Sequence, residues 1–280
     1  MTTSYRQVLV HLDATRGIPH RLAAARQVAQ VNGAALAALY ASLPGFVELP
    51  FAPELGPSLA ADLVELDEKR LAQAIKVFDE AMQAPGPHAS WSQTSGASVV
   101  GAFTQQARYA DLVVFGQHDS KDEASRAVPT DFIESVLAQS GRPGLVIPYI
   151  DWPKSIGTRV AIAWKETPEA ARAVTAAMPF LERAERVHVL AWGEDRTPEA
   201  SGAPLDLASY LRAHGVEAVW HACGPESDEI GELMLSAAFD AEADLLVMGC
   251  YGHSRAREWV LGGATRTMLR SMTLPVLMSH

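Results

Sequence analysis

An α/β fold made of two like domains in tandem is what this 280-residue sequence predicts. Three observations carry that expectation. Short apolar runs alternate with helix-period segments along the whole chain, the pattern of a parallel sheet covered on both faces and joined by right-handed crossovers. The order then starts again past the middle. Arg159-Val-Ala-Ile-Ala-Trp-Lys-Glu-Thr167 parallels Gln7-Val-Leu-Val-His-Leu-Asp-Ala-Thr15, Asp244-Leu-Leu-Val-Met-Gly249 parallels Asp111-Leu-Val-Val-Phe-Gly116, and Leu274 to Ser279 parallels Pro143 to Pro148. Finally, the repeat of about 130–150 residues is a domain length, longer than any solenoid unit. The expected domains are residues 1–150 and 158–280.

In the first half, Gln7 to Leu12 is an apolar strand. A helix follows from about Pro19 to Asn32 and closes at Gly33, with proline near the start and glycine just past the end. Ala34 to Ala41 is a second strand. Leu43 to Pro57 carries four prolines and two glycines, so it reads as a loop. Ser58 to Ala84 is a long amphipathic helix whose acids (Asp62, Glu65, Asp67, Glu68) mark a solvated face. Ala89 to Thr94 is a third strand, Ala97 to Ala110 a helix, Asp111 to Gly116 a fourth strand, Val128 to Gln139 a helix and Pro143 to Pro148 a fifth strand. Tyr149 to Gly157 breaks the pattern and reads as a linker.

The second half repeats the order. Strand Arg159 to Trp164 leads to a helix opened by Pro168, with Thr167 as its N-cap. Strand Arg186–Trp192, helix Pro204–His214 with Gly215 after it, strand Val216–Cys223 and helix Glu226–Ala241 follow. Asp244 to Gly249 is the fourth strand and Leu274 to Ser279 the fifth.

The formal net charge of −10 is shared, with 11 basic against 16 acidic residues in 1–152 and 12 against 17 in 153–280. Neither half is a basic module, which argues against nucleic acid or an anionic membrane as partner. The two cysteines, Cys223 and Cys250, show no disulfide framework, the N-terminus has no signal-peptide apolar region, and no run approaches the ~20 apolar residues of a membrane span. A cytoplasmic protein is expected.

The most informative stretch runs from Asp244 to Thr265. The apolar run Leu245 to Met248 ends in Gly249 and Gly252. A polar loop with His253, Arg255 and Arg257 leads to Gly262-Gly263, and a helix-period segment begins at Ala264. Strand, glycine loop and helix start are the parts of an anion cradle. Glycines let backbone N–H groups approach a phosphate, and the helix N-terminus adds partial positive charge. Ligands of such sheets bind outside the carboxyl ends of the strands, which adds Lys165, just after this half's first strand.

Gly249-x₂-Gly252-x₉-Gly262 is similar to the nucleotide-binding signature of the universal stress protein family, in which Ser or Thr follows the last glycine. Here Gly263 stands there, and Thr265 is two positions on. The duplicated halves, the Asp-Leu strand before the loop and the Leu274-Pro-Val-Leu ending resemble that family too, over the whole chain in a two-domain form. The resemblance implies two Rossmann-like, adenine nucleotide alpha hydrolase-like domains with strand order 3-2-1-4-5. It also implies ATP or another adenine nucleotide as ligand, and a regulatory or stress-response role rather than catalysis. Gly249, Gly252, Gly262, Gly263 and Thr265 would form the cradle, with Lys165, His253 and Arg255 supplying positive charge.

The first half keeps a different part of that site. Asp13 stands where nucleotide-binding members carry an acid, and it reads equally as a ribose contact or a turn residue. Gly116-Gln-His-Asp119 replaces Gly-x₂-Gly, Asp131 lies near the position of Gly263, and Asp119, Asp122 and Glu123 would repel a triphosphate. The ligand is therefore expected in the second domain, with the first a degenerate structural partner. His11, Asp13, His118 and Asp119 lack metal-ligand spacing, so no metal is expected. Cys250 is expected to be an exposed reduced thiol, and Trp164 and Trp192 either to wall a base-sized pocket or to cap the core. No phosphate-loop lysine motif, zinc-protease motif or nucleophile elbow occurs, so no catalytic residue is assigned. Two further readings stand behind nucleotide binding: a scaffold for another small molecule or a protein, then slow ATP hydrolysis assisted by Lys165 or His253. An internal pseudo-dimer of the two halves is expected, with the fifth-strand edges as pairing surfaces for it or for a homodimer.

Overall fold

The computed structural model describes residues 3–48, 57–94, 98–150, 155–193, 205–225, 227, 229–250 and 263–280. The chain divides into two compact units, Ser4–Tyr149 and a second of Ile150–His280 with Met1–Thr3. In the first, strands β1 (Gln7–Leu12), β2 (Ala35–Tyr40), β3 (Ala89–Gln93), β4 (Leu112–Gly116) and β5 (Gly144–Ile147) lie in the order 3-2-1-4-5. All its ladders are parallel, β1 sitting between β2 (Val8 beside Leu36) and β4 (Val8 beside Leu112). The central strands are buried on both faces, as a parallel sheet flanked by helices requires: Val8, Val10, Leu12, Val113, Val114 and Phe115 have no exposed surface.

The second unit repeats the plan. Strands β6 (Arg159–Trp164), β7 (Arg186–Ala191), β8 (Ala218–Ala222), β9 (Leu245–Gly249) and β10 (Val276–Ser279) are parallel and run 8-7-6-9-10, which is again 3-2-1-4-5 by position. The repeated aspartate before the fourth strand has a physical role in both units. Asp111 Oδ2 accepts the N–H groups of Arg6 and Gln7 at 2.7 and 2.9 Å. Asp244 accepts those of Gly157, Thr158 and Arg159 at 3.0, 3.1 and 2.9 Å. Each carboxylate ties the start of the first strand to the start of the fourth and so fixes their register.

The helices are α1 (Ile18–Asn32), α2 (Gly45–Glu48), α3 (Pro57–Gln83), α4 (Val99–Ala107) and α5 (Phe132–Ser140) in the first unit. The second has α6 (Pro168–Leu181), α7 (Leu207–Ala213), α8 (Ile230–Asp240) and α9 (Ala264–Ser271). Gly33 closes α1 in the left-handed conformation (φ 62°), and its N–H bonds back to Ala29 and Gln30. Thr167 caps α6 as expected, its hydroxyl accepting from Ala170 N at 3.3 Å. Several element starts need correcting, α8 among them, which begins at Ile230 rather than Glu226. The supposed loop Leu43–Pro57 contains α2, held where Gly45 N donates to Asp67 Oδ2 at 2.8 Å. Helix α5 begins at Phe132 rather than Val128, because Val128 precedes Pro129 and is pushed to an extended conformation (φ −122°, ψ 128°). Helix α7 begins at Leu207 rather than Pro204, where Asp206 and Ser209 form a reciprocal cap. Among the described residues no helix is long and apolar enough to cross a membrane.

Candidate functional site

In each unit the carboxyl ends of the first and fourth strands meet the start of the following helix. In the first unit that place is filled by the protein's own side chains. Asp13 follows β1 and is 4 % exposed. Its carboxylate accepts from Arg21 Nη1 and Nη2, both at 3.0 Å, and from Thr15 N and Oγ1 at 2.8 and 2.6 Å. Arg21 comes from the first turns of α1, is 2 % exposed, and also donates to the His11 carbonyl at 3.1 Å and to Thr15 Oγ1 at 2.8 Å. It lies flat over the end of β4. A Cβ at Gly116 would stand 2.6 Å from its Nε, so this glycine makes room for the guanidinium.

His11 joins the same network. Arg21 Nη1 lies 3.2 Å from His11 Nδ1, and the Ala41 carbonyl lies 2.9 Å from Nε2. A guanidinium only donates and a carbonyl only accepts, so the ring is neutral with its proton on Nε2. Burial is the main reason its pKa falls to about 4; Asp13 opposes that shift and Arg21 adds to it. Burial alone would raise the Asp13 carboxyl, but the charge of Arg21 and the bonds from Arg21 and Thr15 outweigh it. They hold the group well below the usual carboxylate range.

Above this plug, the exposed Arg16 pairs with the buried Asp119, and its N–H donates to Asp122 at 2.9 Å. Burial pushes Asp119 upward, yet the bonds from Arg16 and from Lys121 N–H leave its carboxyl below the ordinary value. A cavity of about 120 Å³ remains, lined among others by His20, Gln117, Ser125 and Tyr149. That is smaller than the ~300–1,000 Å³ of small-molecule sites. Asp13 is thus a turn and ion-pair residue here, with both oxygens engaged.

The corresponding place in the second unit is built differently. Lys165 stands at the position of Asp13 and is exposed, while Trp164 and Trp192 are half-buried. No arginine of α6 takes the role of Arg21; the first turn of α6 itself comes down on β9. A Cβ at Gly249 would stand 2.5 Å from Ala170 N and 2.9 Å from Glu169 Cβ, so this glycine is required by packing. Glu169 carries charge to the same spot. Its Oε1 accepts from Arg172 at 3.0 Å, and its buried Oε2 has no partner among the described residues.

Helix α9 starts at Gly263, its N-cap, with no side chain capping it. At φ −64°, and with no described atom within 4 Å of a Cβ built there, nothing among the described residues requires glycine at 263. Asp131 is the N-cap of the equivalent helix α5, as the repeat implied. Thr265 is 6 % exposed. Cys250 is 1 % exposed, not the exposed thiol expected, because its N–H continues the ladder to Ser279 and turns the side chain inward. Gly252, His253, Arg255, Arg257 and Gly262 lie outside the described residues.

Sequence reasoning missed Arg21 and Glu169. A signal for Arg21 was present. Ile18, Leu22, Ala25, Val28 and Ala29 form the buried stripe of α1, and Arg21 falls within it at helical spacing. A cation on a core stripe needs a buried partner, and Asp13 is the nearest acid in sequence.

The sequence matches no protein-family model and no curated protein. Its structure is similar to that of a universal stress protein from Archaeoglobus fulgidus DSM 4304, with a TM-score of 0.68 at 17% identity over 98% of this chain and 95% of that one. The fold is that of the tandem universal stress proteins. A protein from Pseudomonas aeruginosa UCBPP-PA14, provisionally described as a universal stress protein, shares this universal stress protein fold with a TM-score of 0.56 at 16% identity, over 98% of this chain and 93% of its own. A functionally unknown protein from P. aeruginosa PAO1 does so with a TM-score of 0.58 at 16% identity, over 98% and 92%.

Proposed function

We propose that this chain is a tandem universal stress protein whose second domain binds an adenine nucleotide at the carboxyl ends of β6 and β9, the first domain being its structural partner. The observation that carries this reading is the contrast between the two strand ends. In the first unit Arg21, Asp13 and Thr15 bond one another, with only the buried Arg21 Nε left without a partner, and occupy the place a ligand would take. In the second, the helix start at Gly263 has no side-chain cap among the described residues, and Lys165 replaces the acid. Helix α9 would receive the phosphates on the amides of Gly263, Ala264 and Thr265, helped by its dipole. Gly252 and Gly262 would let the loop backbone approach, and His253 and Arg255 would add charge. Glu169 beside Gly249 would keep the phosphates toward α9. That same half-buried acid, with Gly263 in place of Ser or Thr, favours the second reading, a site for a different small molecule or a protein.

Titration calorimetry of ATP against the full chain and its Gly263→Asp variant tests the proposal. An N-cap aspartate stabilises a helix start by a few tenths of a kcal/mol relative to glycine, and no described atom lies within 4 Å of its Cβ. The variant will fold as well as the parent while placing a carboxylate where the phosphates would lie. ATP affinity is expected to fall at least about tenfold, one such factor being 1.4 kcal/mol, with Tm unchanged or slightly raised. Equal affinities, or no heat from the parent protein, remove the nucleotide from the account.

A further inference from the structure

A pair of metal-binding side chains lies away from the strand ends, on β7 and β8. His188 Nδ1 and His221 Nε2 face each other at 2.9 Å, with ring centroids 5.1 Å apart and the planes inclined by 34°. The register sets Leu190 beside His221, so His188 and His221 are diagonal neighbours on one face of adjacent strands. Strand β8 is the outer strand of its unit. Val219, which shares the His221 side of that strand, is 53 % exposed, whereas His188 is 8 % exposed. One imidazole is therefore held rigidly in the sheet, and the other stands beside solvent.

We propose that His188 and His221 form a two-imidazole site for a divalent transition metal, Cu(II) above all, with water completing the coordination. Two metal–nitrogen bonds of about 2.0–2.1 Å meeting at about 90–110° span about 2.8–3.4 Å between nitrogens, and the observed 2.9 Å already has that bite. Binding requires both facing nitrogens to be lone pairs. The ring that now donates must move its proton to its other nitrogen and turn slightly, and no net proton is released. Among the described residues no group of three or more His, Cys, Asp or Glu forms a cluster that could hold a metal ion. This excludes a closed tetrahedral zinc site from described residues alone and leaves open positions. Imidazole donors with a tetragonal, partly solvated shell suit Cu(II), which also binds most tightly among the divalent first-row ions.

The test is titration of the full chain with Cu(II), followed by electron paramagnetic resonance, on the parent and on His221→Gln. Glutamine keeps a hydrogen-bond partner for His188 but is a poor ligand. The parent is expected to bind one Cu(II) with hyperfine structure from two equatorial imidazole nitrogens. His221→Gln should bind at least about tenfold more weakly, since losing even an outer-shell partner costs that much at metal sites, and its circular dichroism should be unchanged. His188→Asn must abolish the same signal. Copper held equally by parent and variants would place it on other histidines of the nine and overturn the proposal, as would a parent that binds none.

Discussion

Replacing Arg21 by methionine removes the charge that the first unit holds beneath its strand ends and leaves most of the apolar volume in place. Five hydrogen-bond contacts then disappear, to Asp13 Oδ1 and Oδ2, His11 O, His11 Nδ1 and Thr15 Oγ1. Asp13 stays buried with only Thr15 to bond it. Removing one partner of such a pair costs about 3–5 kcal/mol, because an uncompensated charge is left inside, and domains have about 5–15 kcal/mol to lose. Urea unfolding is not two-state by assumption in a two-unit chain, so hydrogen exchange of β1 and β4 amides against β6 and β9 amides is the suitable assay. Protection should fall in the first set by the equivalent of that energy and stay unchanged in the second. In the parent the Asp13 pKa is lower folded than unfolded. Its contribution is present above pH ~4, near the unfolded value, and is lost as pH falls through the folded one. Without Arg21, burial raises that pKa instead, so the deficit of the variant should shrink on acidification. The double variant Asp13→Leu/Arg21→Met should recover much of the loss. A single-variant loss below about 1 kcal/mol, the size of an exposed pair, would refute a plugged site, and so would a double variant no better than the single.

His11 gives the parent a second pH dependence. Its folded pKa of about 4 lies below the unfolded 6.5, so the unfolded state takes up the proton first, and stability should fall by up to about 3 kcal/mol between pH 6.5 and 4. A pH series of first-unit unfolding midpoints checks this, and His11→Gln should flatten the slope. Gly249→Ala should cost about 1–3 kcal/mol by overpacking against the backbone of α6, seen as a lower midpoint for the second unit; no loss would mean that α6 yields at this contact. Thr167→Ala should cost about 1 kcal/mol through the lost cap, again read from the second unit, whereas Thr167→Ser should cost little.

The fold was legible because its signals are redundant. The apolar runs of β1, β4, β6 and β9, the punctuation of Gly33 and Pro168, and the repeated Asp-Leu all point to the same layered sheet. Element starts were less legible where a single local interaction decides them. Pro129 acts through its predecessor Val128, and the cap formed by Asp206 and Ser209 overrides the proline before it. Side-chain pairing was least legible. Asp13 could be flagged from its position after a strand, but whether it faces a ligand or a neighbour depends on Arg21, eight residues on and visible only as a break in an apolar stripe. Cys250 was misplaced because its loop context suggested exposure, while its N–H completes one more rung beside Ser279.

Glycines of similar appearance in the sequence turn out to answer different needs. Gly116 and Gly249 end equivalent strands, and both are demanded by what approaches them, the Arg21 guanidinium in one unit and the backbone of α6 in the other. That glycine is kept in both halves, including the half whose site is filled, so its presence carries no information about a ligand. The helix starts do differ between the halves. At α5 the chain places Asp131, whose side chain makes no cap bond and accepts from Ser135 Oγ at 3.1 Å but whose carboxylate repels anions, and at α9 it places Gly263, which repels nothing. A helix of eight residues gives up cap stability by ending in glycine without a conformational reason. A bound anion on the same amides would restore what the missing cap side chain withholds. If that is why Gly263 is there, ATP or inorganic phosphate should protect the α9 amides from hydrogen exchange in the parent protein and leave the α5 amides unaffected.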